Sequence, residues 1–217
     1  MTAGANALPS ERRQLLLLAT LALTPFILLA IWARLASPAP WEPGVMIALA
    51  SQPGILGDIS GAINTIGNLP LWAVVVALSA IALGVLRGVW AGVLVALSFC
   101  SDLAAFAVKL LVERDRPETA AVEQIFGFDS FSFPSGHTVR ASALVAVVIW
   151  LLAPAKWRVR LALIGGLIAG TVMGYARVSL GVHWPTDTIG GVLLGLSWSS
   201  LSIVIVIFVI SPSRSRP

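Results

Sequence analysis

LPLWAVVVALSAIALGVLRGVWAGVLVALSFCSDLAAFAVKLL, Leu69–Leu111, is interrupted by charge only at Arg87, Asp102 and Lys109. A membrane-spanning helix needs about 20 mainly apolar residues. The stretch therefore holds two spans, Pro70–Leu86 and Gly88–Leu111, with Arg87 in the turn between them. Outward from this pair, comparable runs occur at Gln14–Leu35, Thr138–Ala153, Leu161–Tyr175 and Thr188–Ile210. The expected fold is all-α, a six-transmembrane helical bundle.

Composition agrees with that reading. Of 217 residues, 58% are hydrophobic and 11% charged, against about 45–50% apolar and about 25% charged in an average soluble domain. No polar block is long enough for a second soluble domain, so residues 1–217 read as one integral-membrane domain with a disordered polar tail at 211–217. Arg12 and Arg13 precede the first run as they would in a signal peptide, but the run exceeds the usual 7–15 apolar residues of such segments and reads as a retained helix. The net charge of +4 is scattered through short loops, not drawn into a basic stripe with interleaved aromatics, which argues against a nucleic-acid partner. The single Cys100 excludes an intramolecular disulfide, and two histidines with one cysteine are too few for a dedicated zinc site. No metal and no cofactor is expected, with magnesium held by carboxylates left open.

Between spans one and two, Ser37–Leu69 is punctuated by Gln52, Pro53 and Asp58 and is too broken to cross. It reads as one or two short interfacial helices with Trp41 as an anchor. Six spans place the N-terminus, the loops after spans two and four, and the C-terminus on one side. There lie Arg12, Arg13, Arg87, Lys156, Arg158, Arg160, Arg214 and Arg216 against Glu11 alone, while the other side holds the remaining six basic residues and nine acids, Asp102 included. The positive-inside rule makes the first side cytoplasmic.

The outer side collects three polar clusters: Lys109 to Arg116-Pro117, then Pro134-Ser135-Gly136-His137, then Arg177 with His183 and Asp187. Lys109, Arg116 and Arg177 are cations suited to phosphate, two of them planar forks. Ser135 and Gly136 stand where span four begins, so a hydroxyl and backbone N–H groups point out of a helix N-terminus towards an anion. Asp187 follows His183 by four positions, close enough for the carboxylate to fix one imidazole nitrogen while the other faces phosphorus. His137 remains as a general acid whose ordinary titration lies near neutrality.

These elements resemble the signature of the type 2 phosphatidic acid phosphatase family: Lys, six residues, Arg-Pro; Pro-Ser-Gly-His; Ser-Arg, five residues, His, three residues, Asp. Every spacing agrees, and the departure is Ala176 where the family usually has Ser. The resemblance implies a metal-independent membrane lipid phosphatase with a phosphohistidine on His183, assisted by His137 and Asp187. Phosphate would be bound by Lys109, Arg116, Ser135, Gly136 and Arg177. It also implies a lipid phosphate partner in the bilayer and an active site on the periplasmic or exterior face of a bacterial inner membrane. Among substrates, undecaprenyl diphosphate comes first, with phosphatidylglycerol phosphate and phosphatidic acid behind it.

Plainer readings stand beside this one. Arg34, Arg114 and Arg140 read as side chains snorkelling from span ends, and the tryptophans, including Trp150, Trp157 and Trp184, as interfacial belts. Asp102, inside span three, either pairs with Lys109, lines the substrate path, or bonds to a neighbouring helix. Gly165, Gly166, Gly170 and Gly174 read as close helix packing. Two rivals come from other classes: a vanadium haloperoxidase-like oxidoreductase using the same anion pocket, which halide oxidation with vanadate would reveal, and a non-catalytic lipid-binding protein, which would bind lipid phosphates without releasing phosphate.

Overall fold

The computed structural model describes residues 8–36, 38–50, 54–118 and 131–210. The predicted tail at 211–217 lies outside them. Among the described residues the chain forms α1 (Leu8–Leu35), α2 (Glu42–Ala50), α3 (Ile55–Gly67), α4 (Leu69–Arg87), α5 (Val89–Phe99), α6 (Ser101–Val112), α7 (Gly136–Leu152), α8 (Arg158–Ser179) and α9 (Pro185–Ile210). It is an all-helical membrane protein. Five stretches are long and apolar enough to cross a bilayer, α5 and α6 counting as one, and α7 is a shorter apolar helix.

Helix α7 is central, packed on α8 and α9 and flanked by α5 and α6. At 17 residues it rises about 25 Å, whereas the 26 residues of α9 rise about 39 Å. A Cβ at Gly191, the seventh residue of α9, would lie 2.9 Å from the Ser135 carbonyl oxygen, so the N-terminus of α7 is recessed below the start of α9. Small residues make the close packing possible. A Cβ at Gly166 would lie 3.0 Å from the Ser142 carbonyl oxygen, and one at Gly195 would lie 2.5 Å from the Val139 carbonyl oxygen. The glycine spacing read from α8 is thus a packing seam.

The span expected at Gly88–Leu111 is divided at Cys100. The Leu97 carbonyl accepts from Cys100 N–H at 3.1 Å, a 3₁₀-type step, and also from Trp198 Nε1 at 2.8 Å. Ser98 Oγ turns back on the Val95 carbonyl at 2.6 Å, a local bond that competes with the helical ladder. Neither half loses its apolar character, which is why the interruption is invisible to hydropathy.

Ion pairs tie opposite ends of the bundle. At one end Glu11 of α1 pairs with Arg158 of α8 and accepts from Trp150 Nε1 at 2.8 Å. Trp150 is buried under the Arg158 guanidinium, 4.4 Å from its ring centre, so it is not a belt residue. At the other end Arg34 of α1 meets Glu113 at 3.3 Å, both exposed, as a snorkelling arginine would. The alternation of helix ends agrees with six crossings.

Candidate active site

At the end carrying Glu113, a cavity of about 420 Å³ opens between α4, α6, α7 and α8. Lys109, Arg116, Gly136, His137, Arg177 and His183 line its polar part, and Leu69, Phe99, Leu103 and Phe106 its apolar part. Leu103 is 71% exposed, so the apolar side opens away from the bundle. Three clusters of sequence spread over some 80 residues share one chamber.

Each polar group is positioned by a local feature. Helix α6 ends where Glu113 adopts the left-handed conformation (φ 51°) and its N–H returns to the Lys109 carbonyl at 2.9 Å. This turn sends Arg114 inward. Lys109 Nζ donates to the Phe131 carbonyl at 2.6 Å, and Arg116 donates to the Val182 carbonyl at 2.9 Å and lies 3.4 Å from His183 Nε2. Arg177, in the last turn of α8, donates to Asn64 Oδ1 on α3. His137 Nε2 lies 3.1 Å from Asn68 Oδ1, in the joint between α3 and α4.

Behind the chamber, His183 Nδ1 lies 3.2 Å from Asp187 Oδ2, which also accepts from Ser132 Oγ and from Trp184 N–H at 2.9 Å. Asp187 Oδ1 accepts from Arg114. Both residues are buried. Pro185 opens α9, where its missing N–H costs nothing, and Asp187 falls in that first turn. Held on the Nδ1 side by the carboxylate, His183 turns Nε2 towards Arg116 and the cavity.

Residues 87–210 match the family model described as the PAP2 superfamily. The chain belongs to the PAP2 superfamily. Phosphatidylglycerophosphatase B of Bacillus subtilis is 38% identical over 51% of this PAP2 chain and 55% of its own length. An undecaprenyl-diphosphatase of Sulfolobus acidocaldarius is 43% identical over 35% of this chain and 34% of its own. These matches thus span about half and one third of the two relatives. A decaprenylphosphoryl-5-phosphoribose phosphatase of Mycolicibacterium smegmatis is 32% identical over 68% of this chain and 77% of its own. Among solved structures, a transmembrane PAP2 type phosphatidylglycerolphosphate phosphatase from Bacillus subtilis superposes with a TM-score of 0.70 at 25% identity, covering 91% of this chain and 98% of that one.

Several expectations for the PAP2 site need correction. Ser135 was expected to aim its N–H at phosphate, but that N–H donates to the Asp187 carbonyl at 3.0 Å and its Oγ accepts from Thr138 at 3.1 Å. Ser135 is buried, and the N-terminus of α7 at Gly136 faces the cavity instead. Arg114 does not snorkel. It is 3% exposed, paired with Glu42 at 2.6 Å and with Asp187, with Trp32 and Trp184 each within 6 Å of its guanidinium. Trp184 also donates Nε1 to the Asp115 carbonyl at 2.9 Å, a structural contact at the site. Nor does Arg140 snorkel: Nε donates to Asp102 at 3.0 Å and NH1 to the Gly67 carbonyl at 2.6 Å. Asp102 thereby bonds to a neighbouring helix while lining the cavity. Ala176 is fully buried. Sequence reasoning missed Glu42, Asn64, Asn68 and Ser132, none of which lies in the three motifs.

Proposed function

We propose that this PAP2 chain is a metal-independent phosphatase of lipid phosphates or diphosphates, acting through a phosphohistidine on His183. The observation that carries this reading is the orientation of His183: Nδ1 is engaged by Asp187 while Nε2 faces the chamber beside Arg116. The terminal phosphate settles among Lys109, Arg116, Arg177 and the N-terminus of α7. Three cations and aligned backbone donors offset its charge as it becomes trigonal-bipyramidal. His183 Nε2 forms the N–P bond as the bond from phosphorus to the leaving oxygen breaks, and His137 gives that oxygen its proton. Asp187 stabilises the positive imidazole. His137, now neutral, takes a proton from water, whose oxygen attacks phosphorus and releases His183.

For the substrate, a polyprenyl phosphate or diphosphate is favoured, undecaprenyl diphosphate first and phosphatidylglycerol phosphate second. Two of the three relatives above bear names of polyprenyl substrates, and one of them covers the greatest share of this chain of the three. The exposed apolar wall at Leu103 and Phe106 suits an approach from within the bilayer. Charge asymmetry between the two ends supports a chamber facing the exterior of a bacterial inner membrane.

The deciding experiment offers the detergent-purified protein undecaprenyl diphosphate, phosphatidylglycerol phosphate and phosphatidic acid, with and without chelator, beside His183→Ala. Phosphate release that survives chelator and disappears in the variant is expected. Near wild-type release by His183→Ala overturns the mechanism, and preference for a glycerophospholipid overturns the substrate.

A further inference from the structure

Glu42 opens α2, far from the three motifs in sequence, yet its carboxylate is fully buried at the back of the site. Every group around it donates. Oε1 accepts from Thr186 N–H at 3.1 Å and Thr186 Oγ1 at 2.6 Å, and Oε2 from Ala39 N–H at 2.8 Å and Arg114 NH2 at 2.6 Å. The bond to Ala39 N–H closes the turn that leads into α2, so one side chain both holds that turn and fastens α2 to α9. Arg114 completes the connection: NH1 donates to Thr186 Oγ1 at 2.7 Å and to Asp187 Oδ1. Among the described residues a continuous line runs from Glu42 through Arg114 to Asp187 and His183.

A guanidinium directly on the carboxylate that supports a catalytic histidine poses a problem. Alone, Arg114 neutralises Asp187, and the carboxylate then offers little to the positive charge that His183 acquires on bonding to phosphorus. Glu42 supplies the compensating charge. With Glu42 and Asp187 ionised and Arg114 protonated, these three side chains together carry one net negative charge, and a cationic His183 brings the sum for the four to zero. Without the charge of Glu42 the cluster is neutral before His183 reacts and positive afterwards, in surroundings where an uncompensated charge is costly.

We infer that Glu42 is a positioning residue for the phosphoryl-transfer step, holding Arg114 in place and keeping Asp187 electrostatically available to His183. This rests on the phosphohistidine reading above. The motif arginine Arg116 faces the phosphate, whereas Arg114, two residues earlier, faces backwards; Glu42 is what makes a cation tolerable there.

The test compares Glu42→Gln, Thr186→Val and the double variant Glu42→Gln/Arg114→Gln in full-length protein, with thermal unfolding in detergent measured alongside kcat and KM for a lipid phosphate that the wild type hydrolyses. Glu42→Gln keeps the shape and removes the charge, and its kcat falls about 10- to 100-fold, one to two steps of 1.36 kcal/mol, with KM changed less than threefold. Thr186→Val breaks two bonds of the same network without altering the charge count, and loses less kcat than Glu42→Gln. The double variant returns the cluster to one net negative charge and recovers at least part of the lost kcat although it lacks more hydrogen bonds. Unchanged kcat in Glu42→Gln overturns the inference. So does a double variant below the single one, or Thr186→Val as impaired as Glu42→Gln. If Glu42→Gln does not fold, the double variant still decides: folded and turning over above a hundredth of the wild-type rate supports the charge count, and folded but inactive opposes it. Failure of the phosphohistidine reading itself is separate, because it appears as His183→Ala activity in the same assay.

Discussion

Adding one methyl group at Gly195 should disable the site without touching it. A Cβ there would meet the Val139 carbonyl oxygen at 2.5 Å, Ser142 Cβ at 2.7 Å and Ala143 N at 3.2 Å. Two of these are backbone atoms and cannot rotate aside. Restoring an ordinary contact of 3.4 Å to the Val139 oxygen parts α7 from α9 by about 0.9 Å locally. Overpacking of this kind costs about 1–3 kcal/mol, against which the better helix preference of alanine returns about 0.5–1 kcal/mol, leaving a net loss of up to about 2.5 kcal/mol. The catalytic cost is larger. Helix α7 carries Gly136 and His137 and α9 carries Asp187, so on the proposed mechanism the displacement shears the general acid and the phosphate-binding helix end against the support of His183. A misplacement of about 1 Å costs about 100-fold, so kcat should fall by roughly 10- to 100-fold. The assay is thermal unfolding and phosphate release in detergent, with Gly61→Ala as control, since nothing lies within 4 Å of a Cβ at that position. The control should unfold no earlier than wild type and keep its kcat. Wild-type unfolding temperature and turnover in Gly195→Ala would refute the packing argument.

Ser132→Ala removes a donor to Asp187 Oδ2 within reach of His183 Nδ1, and kcat should drop about tenfold, roughly one 1.4 kcal/mol step, with KM nearly unchanged in steady-state kinetics. Arg140→Met leaves Asp102 and the Gly67 carbonyl without that partner; stability should fall by about 2–4 kcal/mol, and a double-mutant cycle with Asp102→Asn should show coupling of at least about 0.5 kcal/mol. Asn64→Ala releases the amide oxygen held by Arg177, and KM should rise about 2- to 10-fold, the equivalent of one hydrogen bond, with little change in kcat.

What could be read from the chain followed its local order. The apolar crossings came from runs of apolar residues, and Lys109, Arg116, Gly136, His137, Arg177 and His183 came from short fixed spacings that alternate crossing places at one end. The recessed start of α7 needed its register against α9. The division at Cys100 needed Trp198, about a hundred residues away in sequence, to claim the Leu97 carbonyl. Arg114 and Arg140 were misjudged for one reason: a basic residue near a span end has the same sequence environment whether it reaches out to water or folds back onto a buried acid. What decides between these is a carboxylate elsewhere, Glu42 for one and Asp102 for the other. Ser135 shows the converse. A motif fixed which residue stands there, but not that its N–H is spent on the Asp187 carbonyl.

Glu42, Asn64, Gly67 and Asn68 all precede residue 87, where the match to the PAP2 family begins. The groups that hold Arg114, Arg177, Arg140 and His137 from outside the chamber are thus drawn from one stretch of sequence between the first two crossings, and the residues they hold from another. For a protein engineer this changes the unit of exchange. Altering how those side chains are held becomes a cassette problem with two junctions, in which one piece is replaced and the remainder of the reading frame, with the apolar lining at Leu103 and Phe106, is left as it is. If the charge balance inferred for Glu42 holds, any donor cassette must bring an acid that reaches Arg114, because the present partner, Glu42, leaves with the piece replaced.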